Sequence, residues 1–299
     1  MRQGESKDEI MLKTVDFSGK FDKNCGCVML LGGFDDLHAG HKKLVEKAKS
    51  FSLPIGIMTI VGGKDERGLF TLQEREEIFK CAGADFAFEL PFSEIKNLSP
   101  QEFSQFLIDQ FHPTAFVCGD DFRFGKNACG DAKTLKEAGH VRVEVEKLIT
   151  IDGEKISSTK IKAHLASGQA EKANELLGEE FFLLGTVVRD RGVGRTLGFP
   201  TANIAYPKEK YPIKQGVYET RVCVDGKDYQ AITNYGNRPT FQSDAIVTET
   251  YLDGFSGELY GKELKIRFIR RLREIKKFQT VEALRAQLKE DIRRVREND

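Results

Sequence analysis

Residues 27–51 read CVMLLGGFDDLHAGHKKLVEKAKSF, and this stretch decides the fold of the first half of the chain. CVMLL (27–31) is a short apolar run that stops at Gly32-Gly33, as a buried strand does. From His41 to Phe51, Leu44, Val45 and Ala48 recur at helical spacing. Between strand and helix lies GGFDDLHAGH (32–41). Glycines let a backbone approach a phosphate, and a helix N-terminus presents unpaired N–H groups at the positive end of its dipole. His38 and His41, at i and i+3, can face one bound anion and stabilise charge building in a phosphoryl-type transition state. The plainer alternative is that the two histidines only cap the turn.

Working outward, strands and helices alternate. PIGIMTIV (54–61) and TAFVCG (114–119) read as buried strands, and VRVEVEKL (141–148) as an edge strand. T-L-Q-E at 71–74 and S-P-Q-E at 99–102 are capping boxes, the second with Pro100 at the first helical position. Phe103, Phe106 and Leu107 face inward on the helix that follows. Such alternation predicts βαβ units and a parallel sheet, with ligands at the carboxyl ends of its strands. Helices are predicted over Ser157–Ser167 and Ala170–Leu177, ended by Gly178.

The pattern then changes. FLLGTVV, GVYETRVCV, DYQAITNYG, AIVTETYLD and KELKIRFI are strand-like, with Asp225-Gly226 a hairpin signal. No helical stretch separates them, so an antiparallel sheet or small barrel is predicted. A last helix, Thr280–Arg296, carries Val281, Leu284, Leu288 and Ile292 as an apolar stripe that must dock. The domain boundary is placed at 178–183, giving a first domain over 24–178 and a second over 183–299. Residues 1–23 remain an unassigned extension.

Composition narrows the function classes. Among 299 residues, 46 Lys+Arg balance 46 Asp+Glu, which argues against a general nucleic-acid binder. The segment Lys262–Lys277 is a local basic exception. No run of about 18 apolar residues predicts a membrane span. The polar start, MRQGESKDEI, does not resemble a secretory leader. A cytoplasmic protein is expected, with its six cysteines reduced and mostly buried.

Further segments carry chemistry. ISSTKIK (156–162) puts Ser157, Ser158 and Thr159 at a helix start with Lys160 and Lys162 close by. These groups suit phosphate oxygens, or form an ordinary cap with surface lysines. In CGDDFRFG (118–125), Phe122 and Phe124 suit either stacking on a planar ligand or core packing. RGVGRTLGFPTAN (191–203) is not a Walker A loop. Its Gly192, Gly194 and Gly198 could fold over phosphates or simply turn the chain. Thr201 and Asn203 offer neutral oxygens to a hard cation such as Mg²⁺. Glu249 interrupts an apolar and hydroxyl strand, where a carboxylate needs a partner or a role. It is a candidate general base or an outward-facing strand residue.

In this order, GGFDDLHAGH, GDDFRFGK and ISSTKIK resemble the adenylyltransferase module of prokaryotic bifunctional riboflavin kinase/FAD synthetases, within the H-x-G-H nucleotidyltransferases. RGVGRTLGFPTAN, NYGNRPTF, VTETYLDGFSGELYGKEL and LREIKKF resemble the riboflavin kinase module, so the resemblance spans about 26–296. It implies a Rossmann-like α/β domain followed by a six-stranded antiparallel barrel with a terminal helix. It implies phosphorylation of riboflavin to FMN and adenylylation of FMN to FAD, each with ATP and Mg²⁺. His38 and His41 would hold the triphosphate, with Gly32, Phe34, Gly40 and Asp121 alongside and Ser158, Thr159 and Lys162 at the helix start opposite. In the barrel, Glu249 matches the catalytic base, Thr201 and Asn203 the Mg²⁺ and phosphate ligands, and Gly192, Gly194 and Gly198 the loop. Phe124 and Arg273 match flavin positions.

Four positions depart from the family pattern. Asp36 replaces a usual Gly, IMTIVGGKDE replaces an F-x-P-H-P-like segment, Lys162 replaces Arg, and Tyr235 replaces an aliphatic residue. Two other readings stand beside the main one. One is a monofunctional riboflavin kinase with a degenerate first domain. The other is a non-catalytic flavin or nucleotide sensor, which would need neither Glu249 nor its metal ligands.

Overall fold

The capping boxes read from the sequence form as expected and mark where helices leave a parallel sheet. Thr71 and Ser99 each accept a backbone N–H through the side chain, while Glu74 and Glu102 reach back to the cap. The computed structural model describes residues 12–16, 21, 26–63, 67–151, 153–189, 199–237 and 246–297. They divide into two compact units, Met1–Ile156 and Ser157–Asp299.

In the first unit the strands are β1 (Lys13–Asp16), β2 (Val28–Leu31), β3 (Ile55–Val61), β4 (Phe86–Pro91), β5 (Ala115–Gly119) and β6 (Arg142–Glu146). All pair in parallel, in the order β1-β4-β3-β2-β5-β6. The helices are α1 (Lys42–Lys49), α2 (Leu72–Ala82), α3 (Phe92–Ile95), α4 (Pro100–Phe111) and α5 (Ala132–Glu137), followed by a small ribbon of β7 (Thr150–Ile151) and β8 (Glu154–Lys155). Leu44 and Ala48 of α1 are buried, as are Phe103 and Leu107 of α4. Phe103, Leu107 and Phe111 join Met29, Phe88 and Phe116 in one core. The strand β1 falls in the extension that the sequence left unassigned. It adds an edge beside β4, where its short, polar sequence carries no period of its own.

The order of winding switches at β2, which has β3 on one side and β5 on the other, all three running parallel. In a sheet wound this way the carboxyl ends of β2 and β5 are the usual place for a ligand crevice.

The second unit begins with α6 (Ser158–Ser167) and α7 (Ala170–Leu177). Its strands are β9 (Phe181–Thr186), β10 (Thr201–Ala205), β11 (Gly216–Val224), β12 (Lys227–Asn237), β13 (Ile246–Leu252) and β14 (Glu263–Arg273). Every pair is antiparallel, in the order β10-β13-β12-β11-β14-β9. The edges meet where Val188 N–H donates to Asn203 O over 2.9 Å, so the sheet curls into a partly closed barrel. Its interior includes a chain of buried threonine hydroxyls. Thr233 Oγ1 lies 2.8 Å from Thr220 Oγ1 and 2.9 Å from Thr250 Oγ1. Asp225-Gly226 turns β11 into β12 with φ of 50° and 78°, as a type I′ turn requires.

The compact units divide at Ile156/Ser157, which groups α6 and α7 with the barrel, while 178–183 remains the boundary read from the sequence. The packing of α7 accounts for that grouping. Asn174 Nδ2 donates to Phe268 O at 2.8 Å, and its Oδ1 accepts the Phe181 N–H at 2.8 Å. The terminal helix α8 (Val281–Arg296) docks by its C-terminal half, through Ile292 and Val295 against Val217 and Ile232. Val281, at the head of the predicted stripe, is 51% exposed. Among the described cysteines, Cys27 and Cys118 are buried but Cys81, Cys129 and Cys223 are exposed, all as free thiols. Burial pushes the Cys118 thiol up to about 11.

Candidate active sites

In the first unit, the loop from β2 to α1 is held by its own carboxylates. Asp35 accepts the Leu69 N–H at 2.9 Å and pairs with Arg75 Nη2 at 2.6 Å. Arg75 also donates to Ile60 O at 3.0 Å and to Thr59 Oγ1 at 3.1 Å, tying this loop to the end of β3. Asp36, fully buried, accepts the His38 N–H at 2.9 Å. Gly32 is required by close packing, since a Cβ there would stand 2.8 Å from the Phe34 ring. Phe34 is buried with its ring edge-on to His41, centroids 5.0 Å apart. Gly40 is similarly constrained, because a Cβ would come within 3.0 Å of the His38 imidazole.

His38 and His41 stack, with centroids 3.6 Å apart and planes 11° apart. His41 begins the first turn of α1, where the helix presents its free N–H groups. Burial lowers the pKa of both histidines below the usual imidazole value, His41 further because His38 lies against it. Asp36 and Asp121 oppose the shift at His38, while Lys155 adds to it. Asp121, exposed at the end of β5, pairs with Lys155. At neutral pH the two rings are therefore uncharged hydrogen-bonding groups.

A stability prediction follows. Unfolded imidazoles titrate near ~6.5, above both folded values, so the unfolded chain takes up more protons as pH falls below that point. Stability contributed by the neutral pair is present above about pH 6.5 and is lost progressively below it. Thermal unfolding at pH 7.5 and 5.5 should show a larger loss for wild type than for His38→Gln/His41→Gln. Equal losses would contradict it.

Phe124 is corrected. Its ring is 6% exposed and packs in the core, with centroids 5.3 Å from Phe103 and 5.4 Å from Phe122. Phe122 is the half-buried ring of the pair and replaces Phe124 as the candidate stacking surface. Ser158, Thr159 and Lys162 lie on α6 in the second unit. Ser157 is the cap, its Oγ accepting the Lys160 N–H at 3.4 Å. Lys162 is buried with its ammonium 5.5 Å from the Tyr211 ring centre.

In the second unit, cross-strand register brings together residues far apart in sequence. Asn203 pairs with Glu249, Glu249 with Asn234, Asn234 with Val217, and Val217 with Arg273. Directly opposed residues share a sheet face, so Asn203, Glu249, Asn234, Val217 and Arg273 form one row. Thr201, two residues before Asn203, faces the same way. Both stand in β10, because TANIA pairs along β13. Asn203 is buried and its Nδ2 donates to Thr201 O at 3.4 Å. Glu249 is half-buried.

Arg273 closes the row by gripping α8. Its Nε and Nη2 donate to both oxygens of the fully buried Asp291 at 2.7–3.1 Å. Tyr235, the family departure, is buried with its hydroxyl accepting the Ile213 N–H at 3.3 Å. Gly192, Gly194, Gly198 and the Arg238-Pro239-Thr240 segment lie outside the described residues.

Sequence reasoning passed over Asn234. Its Oδ1 is buried with no hydrogen-bond partner among the described residues. The only sequence signal was an amide within a strand, and the register that sets it beside Glu249 is not local.

An H-x-G-H loop at the switch point of a parallel-sheet unit and a row centred on Glu249 on an antiparallel barrel fit a two-domain transferase with a candidate site on each unit. A family model for FAD synthetase matches residues 20–160, and one for riboflavin kinase matches residues 177–298. The bifunctional riboflavin kinase/FMN adenylyltransferase of Listeria monocytogenes is 33% identical over 88% of this chain and 90% of its own. That of Bacillus subtilis is 32% identical over 88% and 90%, and that of Pseudomonas fluorescens 31% over 89% and 91%. The chain belongs to the family of bifunctional riboflavin kinase/FMN adenylyltransferases.

A solved structure described as a macrolide-efflux protein from Streptococcus pneumoniae matches with a TM-score of 0.84 at 28% identity, covering 96% of this chain and 99% of that one. That description differs from those of the curated relatives. Among the described residues here, no helix is long and apolar enough to cross a membrane. The family's use of ATP goes with a divalent metal ion.

Proposed function

We propose that the barrel row phosphorylates riboflavin and that the crevice between β2 and β5 adenylylates the resulting FMN. The observation that carries the first assignment is the register placing Glu249 between Asn203 and Asn234, on the face shared with Thr201. Glu249 takes the proton of the ribityl 5′-hydroxyl as its oxygen bonds to the γ-phosphorus of ATP and the bond to ADP breaks. A positioned base contributes about 10²–10⁴-fold to such a step. Thr201 and Asn203 supply neutral oxygens of the kind a hard cation accepts, and we assign Mg²⁺ to them. Held by these residues, the cation would screen the negative charge of the ATP phosphates.

In the crevice, an FMN phosphate oxygen bonds to the α-phosphorus of ATP and pyrophosphate leaves. His38 and His41 donate hydrogen bonds to the oxygens that gain charge. Gly32, Phe34 and Gly40 hold those rings, Asp121 stands at the mouth, and Phe122 offers a face to a planar base or flavin. Substrates are riboflavin, FMN and ATP, with FAD as the final product. We place the enzyme in the cytoplasm, where ATP is available.

Asn234 tests the barrel assignment. Its unpartnered Oδ1 is an acceptor for a riboflavin hydroxyl. Asn234→Ala should raise KM for riboflavin by about two- to tenfold, the worth of one neutral hydrogen bond. FAD formation from supplied FMN should be unchanged. An unaltered KM for riboflavin would refute the contact.

A further inference from the structure

We propose that Asp36, His38 and His41 form a binding site for a divalent transition-metal ion of the zinc type, and that this ion and the nucleotide compete for the two histidines.

Three ligand-type side chains converge at this point, their donor atoms all within 4.8 Å of one another. Asp36 Oδ1 and His41 Nδ1 are 3.9 Å apart. Two zinc bonds of about 2.0–2.2 Å placed end to end span about that separation. An imidazole binds a metal in its own ring plane, so the stacked rings, 11° from parallel, must turn out of the stack for both to reach one ion.

A second observation is independent of the clustering. The Nδ1 atoms of both His38 and His41 are buried and have no hydrogen-bond partner among the described residues. His38 as a whole is 4% exposed. A buried polar atom left unpaired is costly, so two of them on adjoining rings mark a place that awaits a ligand. A phosphate could satisfy an N–H there, but Asp36 presents a carboxylate to the same spot. Its position is fixed by the hydrogen bond it accepts from the His38 backbone. An anion meets that carboxylate unfavourably, whereas a cation is attracted by it and accepts the imidazole lone pairs. Two imidazole nitrogens and one carboxylate oxygen suit zinc and cobalt better than magnesium. Three protein ligands also leave a coordination position open.

The competition rests on the reading of this loop as the nucleotide site; the binding of the ion does not. An ion held between Asp36 and the imidazoles fixes the two rings that would otherwise turn to the triphosphate. Zinc should therefore inhibit FAD formation and leave FMN formation untouched.

The test uses the full chain after chelator treatment, titrated with Co²⁺ and followed by visible ligand-field absorption. One ion per chain, displaced by Zn²⁺ and without a thiolate charge-transfer band, is the expected result. Asp36→Asn retains an oxygen to accept the His38 N–H but loses the charge. It should weaken binding by about tenfold or more, a scale that even outer-shell changes reach at metal sites. His41→Gln should weaken it similarly, with circular dichroism unchanged in both variants. No Co²⁺ binding by wild type, equal binding by both variants, or a thiolate band would overturn the site. Binding that excess ATP fails to displace would overturn the competition and, with it, the nucleotide reading of these histidines. Loss of the metal signal alone, with FAD formation still dependent on His41, would defeat the metal site and leave the nucleotide reading standing.

Discussion

Glu249→Gln should reduce formation of FMN from riboflavin by about 10²–10⁴-fold, the usual contribution of a positioned base. The ribityl hydroxyl is weakly acidic and must lose its proton as it bonds to phosphorus. Gln has the shape of Glu and keeps the strand pairing to Asn203 and Asn234, but its amide cannot accept that proton. Adenylylation of supplied FMN should proceed at the wild-type rate, since Glu249 belongs to the second unit and the H-x-G-H loop to the first. Chromatography of flavins in the two assays would measure both. Wild-type FMN formation by Glu249→Gln would remove Glu249 from the mechanism.

The mirror-image result is expected for His41→Ala. Adenylyl transfer accumulates charge on the α-phosphate oxygens between the attacking FMN phosphate and the departing pyrophosphate. His41 lies at the start of α1, its ring stacked on His38 and packed against Phe34. Removing one preorganised donor typically costs about 10²–10³-fold. FAD formation should fall by that factor while FMN formation is spared. A thermal melt separates this loss from unfolding of the first unit. FAD formation at the wild-type rate would reduce the histidines to caps of the turn.

Features written locally in the chain were legible from it. The β2–loop–α1 stretch, both capping boxes and the Asp225-Gly226 turn depend on neighbours a few residues apart, and each forms as read. Features that depend on distant partners were not. Asn234 becomes conspicuous only when β12 is set against β13. Lys210 would be assigned to the surface by its charge, yet it is 1% exposed with its ammonium 4.5 Å from the Phe181 ring centre. The helix α7 looks like a tail of the first domain until Asn174 is seen to bond β9 and β14. Phe122 and Phe124 are indistinguishable by residue type, and only the position of Phe103 decides which ring is core. Asp36 showed itself in the sequence as a misplaced carboxylate. Its hydrogen bond to the His38 backbone and its nearness to two orphaned imidazole nitrogens required the fold.

The most direct measurement of the central claim is separation of flavins after the purified chain is incubated with riboflavin, ATP and Mg²⁺ alone. Two working sites on one chain predict that FMN appears first and FAD follows, with pyrophosphate released in step with FAD. FMN accumulating without FAD, or riboflavin recovered unchanged, would contradict it.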